Sequence, residues 1–226
     1  MLHSYEPPAD VPACIDVADA EDVLPRKAIG HLLGGRHFAL ASDLFRYEML
    51  AHSLGVWVDT DCYCIRPVQD ADYLFGWEDD KLINGAVLKL PSSSSFLADL
   101  RAIREGFIPP WAPLRKRIGW RLRPLYSDPK PLAEMPWGTA GPLALTHYAK
   151  HSGIAHLAQP VSRFYPVHWS RTKSLLDPAV RLQDLVAPDT VVLHLYNEVL
   201  RRTEAAPHPS SPLGAILAEG QPEPTP

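Results

Sequence analysis

Apolar and polar positions along this chain recur with two different periods, and the change from one to the other is sharpest over residues 42–67. Leu44, Tyr47, Leu50, Ala51 and Leu54 repeat at three- and four-residue spacing, the stripe of an amphipathic helix. Ser42 has a hydroxyl suited to capping, Asp43 would sit at the favourable end of the helix dipole, and Gly55 offers the left-handed residue that stops a helix. The pattern predicts a helix over 43–54, with Asp43 and Arg46 as neighbours at its N-terminal end. Val56-Trp57-Val58 then reads as a strand ending in Asp59-Thr60-Asp61, and 62–67 continues extended.

Further along, the same alternation predicts a turn and strand over 70–77, with Glu78-Asp79-Asp80 as an exposed hairpin tip. Residues 82–88 form an apolar strand interrupted by Asn84-Gly85, and the Asn84 amide needs partners inside it. Ser92 to Ser95 cap a helix over 96–107. Trp137-Gly138-Thr139 leads through Gly141-Pro142 into a helix whose N-terminus suits phosphate or sugar. Phe164 to Trp169 reads as a packed aromatic turn, and Val191 to Asn197 as a strand carrying one imidazole, His194. Asp16, Asp19, Glu21 and Asp22 read as a solvated face. The last twenty residues hold six prolines, so 207–226 is expected to be a disordered tail after a single domain over 1–206. Strands alternating with helices make the fold class α/β.

With 226 residues and 46% apolar content, the chain has enough to bury one substantial core. A formal charge of −4 gives no general attraction to nucleic acid, so none is expected as a partner, and an anionic ligand must be neutralised locally. Cys14, Cys62 and Cys64 are an odd number, and Cys62 and Cys64 are too closely spaced for a zinc knuckle, which favours packed thiols in a reducing compartment. No secretory signal opens the chain and no apolar run approaches the roughly 18 residues of a membrane span, so a cytoplasmic location is expected. Residues 111–126 interleave Arg115, Lys116, Arg117, Arg121 and Arg123 with Trp111, Leu114, Ile118, Trp120, Leu122 and Leu125. They form either a solvated amphipathic face or a peripheral contact with the inner face of an anionic membrane.

The chemistry concentrates at Asp59 and Asp61. Side chains two apart on a strand point the same way, and two adjacent carboxylates repel unless a cation or hydrogen-bond donors compensate. A hard divalent ion is the natural partner, because it takes one or two protein carboxylates and completes its shell with water and substrate phosphate.

Ser42-Asp43-x-x-Arg46-Tyr47, followed after seven residues by Gly55-Val56-Trp57-Val58-Asp59-Thr60-Asp61, resembles the signature of DXD-containing glycosyltransferases. These are the initiating mannosyltransferases of the yeast type, the capsular polysaccharide synthesis proteins and, more distantly, the large glucosylating toxins. The resemblance implies a GT-A, nucleotide-diphospho-sugar transferase fold: a mixed sheet with helices on both faces, here with its first strand missing. It implies Asp43 and Arg46 on hydroxyls of the donor sugar, Asp59 on ribose or metal, and Asp61 on Mn²⁺ or Mg²⁺. Asn84 matches a residue beside the transferring sugar, Gly141 lies in a matching T-G-P segment, and His194 matches a histidine next to the metal. Leu54 departs from the family, which usually has Gly there.

The implied reaction moves a hexose from a nucleotide-diphosphate sugar to a glycan or other acceptor, with retention of configuration. A non-catalytic sugar-nucleotide binder and a DxD phosphohydrolase remain open; Tyr63 stands where the latter wants Thr or Val. The ligand is expected at the C-terminal strand ends, where Asp59, Asp61, Asn84 and His194 would converge.

Overall fold

The computed structural model describes residues 1–219. They form two compact units, one from 1–57 and 89–156 and the other from 58–88 and 157–219.

The first unit opens with strand β1 (Leu2–Ser4), which pairs in parallel with β2 (Val17–Asp19), Leu2 opposite Val17. Asp19 caps the turn that follows, its carboxylate accepting from the Glu21 N–H at 2.9 Å, while Asp16, Glu21 and Asp22 are exposed as expected. Helix α1 (Arg26–Gly34) buries Ile29 and Leu32 and packs on α2 (Phe38–Ala51).

Helix α2 starts five residues before the expected Asp43. Phe38-Ala39-Leu40-Ala41 are good or neutral helix formers and extend the helix back toward Gly34-Gly35, so Ser42 is internal and its hydroxyl accepts from Arg46 at 3.3 Å. The C-terminal stop also moves. Ser53, at φ 58°, takes the left-handed position, with its N–H donating to the Leu50 carbonyl and that of Leu54 to Met49.

Helix α3 (Ser95–Arg101) is capped by Ser94, whose hydroxyl accepts from the Leu97 N–H at 3.2 Å. It is shorter than the expected 96–107, because the chain turns inward to bury Ile103 and then passes through Gly106 at φ 78°. Arg101 and Arg104 both reach buried Glu48 of α2, at 2.7 and 2.6 Å. Helix α4 (Leu114–Leu122) buries none of its residues. Helix α5 (Pro142–His151) starts with proline at a position where the missing N–H costs nothing, and α3 packs on it.

The chain crosses to the second unit within β3 (Trp57–Val58). There follow β4 (Cys62–Cys64), β5 (Leu74–Trp77) and β6 (Ile83–Lys89), the last running unbroken through Asn84-Gly85. After 157 come α6 (Val161–Phe164), α7 (Leu182–Leu185), β7 (Val192–His194), α8 (Asn197–Arg201) and α9 (Pro212–Glu219). The mixed α/β class holds. The expected single mixed sheet does not appear among the described residues: strands lie in three small sheets, β1-β2, β3-β6-β5 and β4-β7.

Helix α9 corrects the expectation of disorder from 207. Leu213 and Ile216 join a core cluster with Val167, Leu175, Leu193, Leu195 and Leu200. A β-carbon on Gly214 would collide with the carbonyl of His208, so the absent side chain is what lets this helix close on its own lead-in. The rest of the expected tail, 220–226, lies outside the described residues. No helix of the described residues is long and apolar enough to cross a membrane.

Candidate functional site

The predicted residues fall into two groups, one in each unit. In the first unit, Asp43 and Arg46 occupy successive turns of α2, with the carboxylate 3.5 Å from the guanidinium and both side chains largely buried, 14% and 7% exposed. The ridge is held from beneath by Tyr47, whose hydroxyl donates to the Ala140 carbonyl at 2.5 Å. The Arg46 guanidinium carbon lies 5.2 Å from the centroid of the Trp57 ring, a cation–π distance, and Trp57 packs in turn on Phe45.

Gly141 immediately precedes α5, and a β-carbon there would stand 2.8 Å from one oxygen of Asp43 and 3.2 Å from the other. The start of α5, expected to face a ligand's phosphate or sugar, therefore has the chain's own carboxylate beside it. That placement is favourable at the positive end of a helix dipole. It also corrects the picture of Asp43 and Arg46 as a pair displayed at a helix end: they lie inside α2 and pack against the beginning of another helix.

The second unit holds the aspartates. The Asp59 N–H donates to the Ala86 carbonyl at 2.8 Å, and the Cys62 N–H returns to the Asp59 carbonyl at 3.0 Å, so Asp59-Thr60-Asp61 forms a tight turn leading into β4. Cys62 stands directly opposite His194 in the antiparallel pair β4-β7. This register brings one Asp61 oxygen within 3.2 Å of His194 Nε2, while the other accepts from the Asn197 N–H at 2.9 Å. Burial alone would push the Asp61 carboxyl upward, but the hydrogen bond and charge of His194 and the Asn197 N–H together hold it below the ordinary carboxylate value. His194 is buried, and its Nδ1 has no hydrogen-bond partner among the described residues. Tyr196 and Tyr165 enclose its ring, with centroids 4.0 and 5.9 Å away.

Asp61 and His194 thus meet as the sequence suggested, and the third potential ligand beside them is Cys62. Ligand atoms of these three side chains lie within 4.8 Å of one another, whereas Asp59, at the start of the turn, is outside this triad. Burial and the nearby carboxylates of Asp59 and Asp61 push the Cys62 thiol well up. No sequence pattern marked Cys62; the signal was its immediate proximity to Asp61 on a strand whose partner could not be read locally.

Asn84 is engaged at both ends of its amide. Its Nδ2 donates to Glu78 at 2.9 Å and its Oδ1 accepts from the Ala86 N–H at 2.8 Å. Glu78, expected at an exposed tip, is buried and also accepts from the Tyr196 hydroxyl at 3.2 Å. The two-residue period of Leu74, Gly76 and Glu78, all buried, was the sign that the strand's inner face extends that far. Asp79 fits the tip, accepting from the N–H groups of Lys81 and Leu82. Tyr196 adopts a left-handed conformation, φ 53° and ψ 54°, which carries the chain from β7 into α8 and presents the Asn197 N–H to Asp61.

Compared with known proteins, the chain matches no family model, no curated protein and no solved structure at a significant level.

Proposed function

We propose that the chain is a metal-dependent hexosyltransferase of GT-A type, moving sugar from a nucleoside-diphosphate donor to a glycan or other hydroxyl acceptor with retention of configuration. The observation that carries this reading is the meeting of Asp61, at the end of an Asp-x-Asp turn, with His194, 133 residues later. In it, Asp61 and His194 hold the ion, and Asp59 contacts ribose or the same ion. The ion would neutralise charge building on the departing diphosphate. Of Mn²⁺ and Mg²⁺, an imidazole in the donor set suits Mn²⁺ better, since Mg²⁺ favours oxygen ligands alone.

The resemblance assigns Asp43 and Arg46 to hydroxyls of the donor sugar, and Gly141 leaves the room that Asp43 needs. Asn84 positions Glu78 and the backbone of β6. The Asn197 N–H and His194 keep the Asp61 carboxylate ionised and oriented.

Calorimetry with nucleoside diphosphate tests the reading. Binding is expected to require Mn²⁺ and to lose that requirement in Asp61→Asn, with sugar transfer falling about a thousandfold, or about 4 kcal/mol of transition-state stabilisation. Asp43→Ala and Arg46→Ala should keep nucleoside diphosphate binding and lose transfer. Metal-independent binding by the wild type, or full transfer by Asp61→Asn, overturns it.

A further inference from the structure

Among the described α-helices of the first unit, α4 alone buries none of its residues. Leu114, Ile118 and Leu122, four residues apart, form one stripe and are 67%, 48% and 50% exposed, and Leu125 and Tyr126 continue it at 80% and 75%. At 100° per residue, Arg115 lies on one side of the stripe and Arg117 and Arg121 on the other. From 106 to 127 the chain has five basic residues and no acidic one. Among the described residues no carboxylate pairs with Arg115, Lys116, Arg117 or Arg121. The segment is nonetheless held at both ends: Trp111 packs on His147 and Tyr148 of α5, and Arg123 Nε donates to the Asp128 carbonyl at 2.8 Å.

We propose that α4 and the turn after it dock on the surface of an anionic lipid bilayer, with Leu114, Ile118, Leu122 and Leu125 entering the headgroup boundary and the flanking cations lying against lipid phosphates. Charge complementarity singles out this occupant. The rest of the chain is net acidic and would be repelled, so the local excess of five cations orients the molecule with this face down. An apolar stripe bordered by long cationic side chains matches an interface in which stems stay in the apolar layer and charged heads remain in water. The surface is independent of the proposed sugar transfer, and its test needs no substrate.

The full chain is sedimented with vesicles of neutral phosphatidylcholine and with vesicles carrying about a third phosphatidylglycerol. Binding is expected only to the anionic vesicles and is expected to weaken with salt. Each of Arg115→Glu and Arg121→Glu, which border the stripe, should lower the partition coefficient at least roughly fivefold. The triple change Leu114→Ser, Ile118→Ser, Leu122→Ser, all at exposed positions, should abolish binding while circular dichroism stays unchanged. Equal binding to neutral vesicles, undiminished binding by the triple variant, or no binding at all overturns the proposal. So does a mass of two chains in light scattering without vesicles that the triple variant returns to one, because a second copy would then cover the stripe.

Discussion

The carboxylate of Asp43 occupies the space that a β-carbon on Gly141 would need, the nearer oxygen being only 2.8 Å from that position. The two residues are therefore coupled by exclusion, and Gly141→Ala forces Asp43 away from Arg46 or pushes the start of α5 back. The expected cost is about 1–3 kcal/mol, typical of overpacking. In an Asp43→Ala background the added methyl finds room, so the same substitution should cost little. Urea denaturation of the four variants measures the coupling; an additive cycle would show that the two sites do not communicate.

Acid stability should report the Asp61 site. A carboxyl held below its ordinary value in the folded protein contributes stability that is fully present above the unfolded value, 3.8, and is lost as pH falls through the folded value. Wild type should therefore lose part of its unfolding free energy below about pH 4, and Asp61→Asn should show a flatter acid limb. Urea midpoints measured between pH 7 and pH 3 decide it; parallel curves would mean that His194 and Asn197 do not hold the ionised form.

Asn84→Ala should act first on stability. It leaves buried Glu78 with the Tyr196 hydroxyl but without the Asn84 amide, and it strips the Ala86 N–H of its acceptor, at an expected cost of about 1–3 kcal/mol. Glu78→Gln combined with Asn84→Ala should recover part of the loss by removing the charge. If Asn84→Ala leaves the melting temperature unchanged, the amide is spare in the fold, and a direct role beside the transferring sugar becomes the better account.

Deletion of 207–226 should destabilise the second unit. Ile216→Ala and Leu213→Ala each remove buried methyl groups from a cluster that also contains Leu193 of β7, and should cost about 2–3 kcal/mol apiece. The 1–206 fragment should melt several degrees lower; an unchanged melting temperature would mean that α9 adds nothing to that core.

The thiols offer a chemical check. Cys14 is exposed, whereas burial and two nearby carboxylates suppress ionisation of Cys62. Iodoacetamide at pH 8 should alkylate Cys14 at least about tenfold faster than Cys62, read by peptide mass spectrometry. Comparable rates would mean that the β4-β7 pair opens readily.

Local signals in the sequence were a good guide to elements and a poor one to their limits. The strand at Trp57–Val58, the cap at Ser94, the proline start of α5 and the strand containing His194 were all visible in short-range chemistry. The start of α2 was missed because a plausible cap at Ser42 competed with four helix-compatible residues before it, and propagation of an existing helix needs no cap. Helix α9 was hidden by proline content, since Leu213 and Ile216 matter only once Leu193 and Val167 are beside them. Similarly, the triad of Asp61, Cys62 and His194 depends on a register between strands far apart in sequence, which no local window contains. Family resemblance pointed to two of its members, and the third came from the pairing itself.

The division of the chain has a consequence for its synthesis. Each unit is assembled from two separate stretches, and the backbone crosses between them after residues 57, 88 and 156. On the ribosome the first 57 residues must wait for 89–156 before α3 and α5 can cover α2, and the segment with Asp59 and Asp61 waits longer still, until β7 emerges to pair with β4. Neither unit corresponds to a contiguous fragment that a single cut could release, and the usual order in which an N-terminal domain is finished before the next begins is not open to this chain.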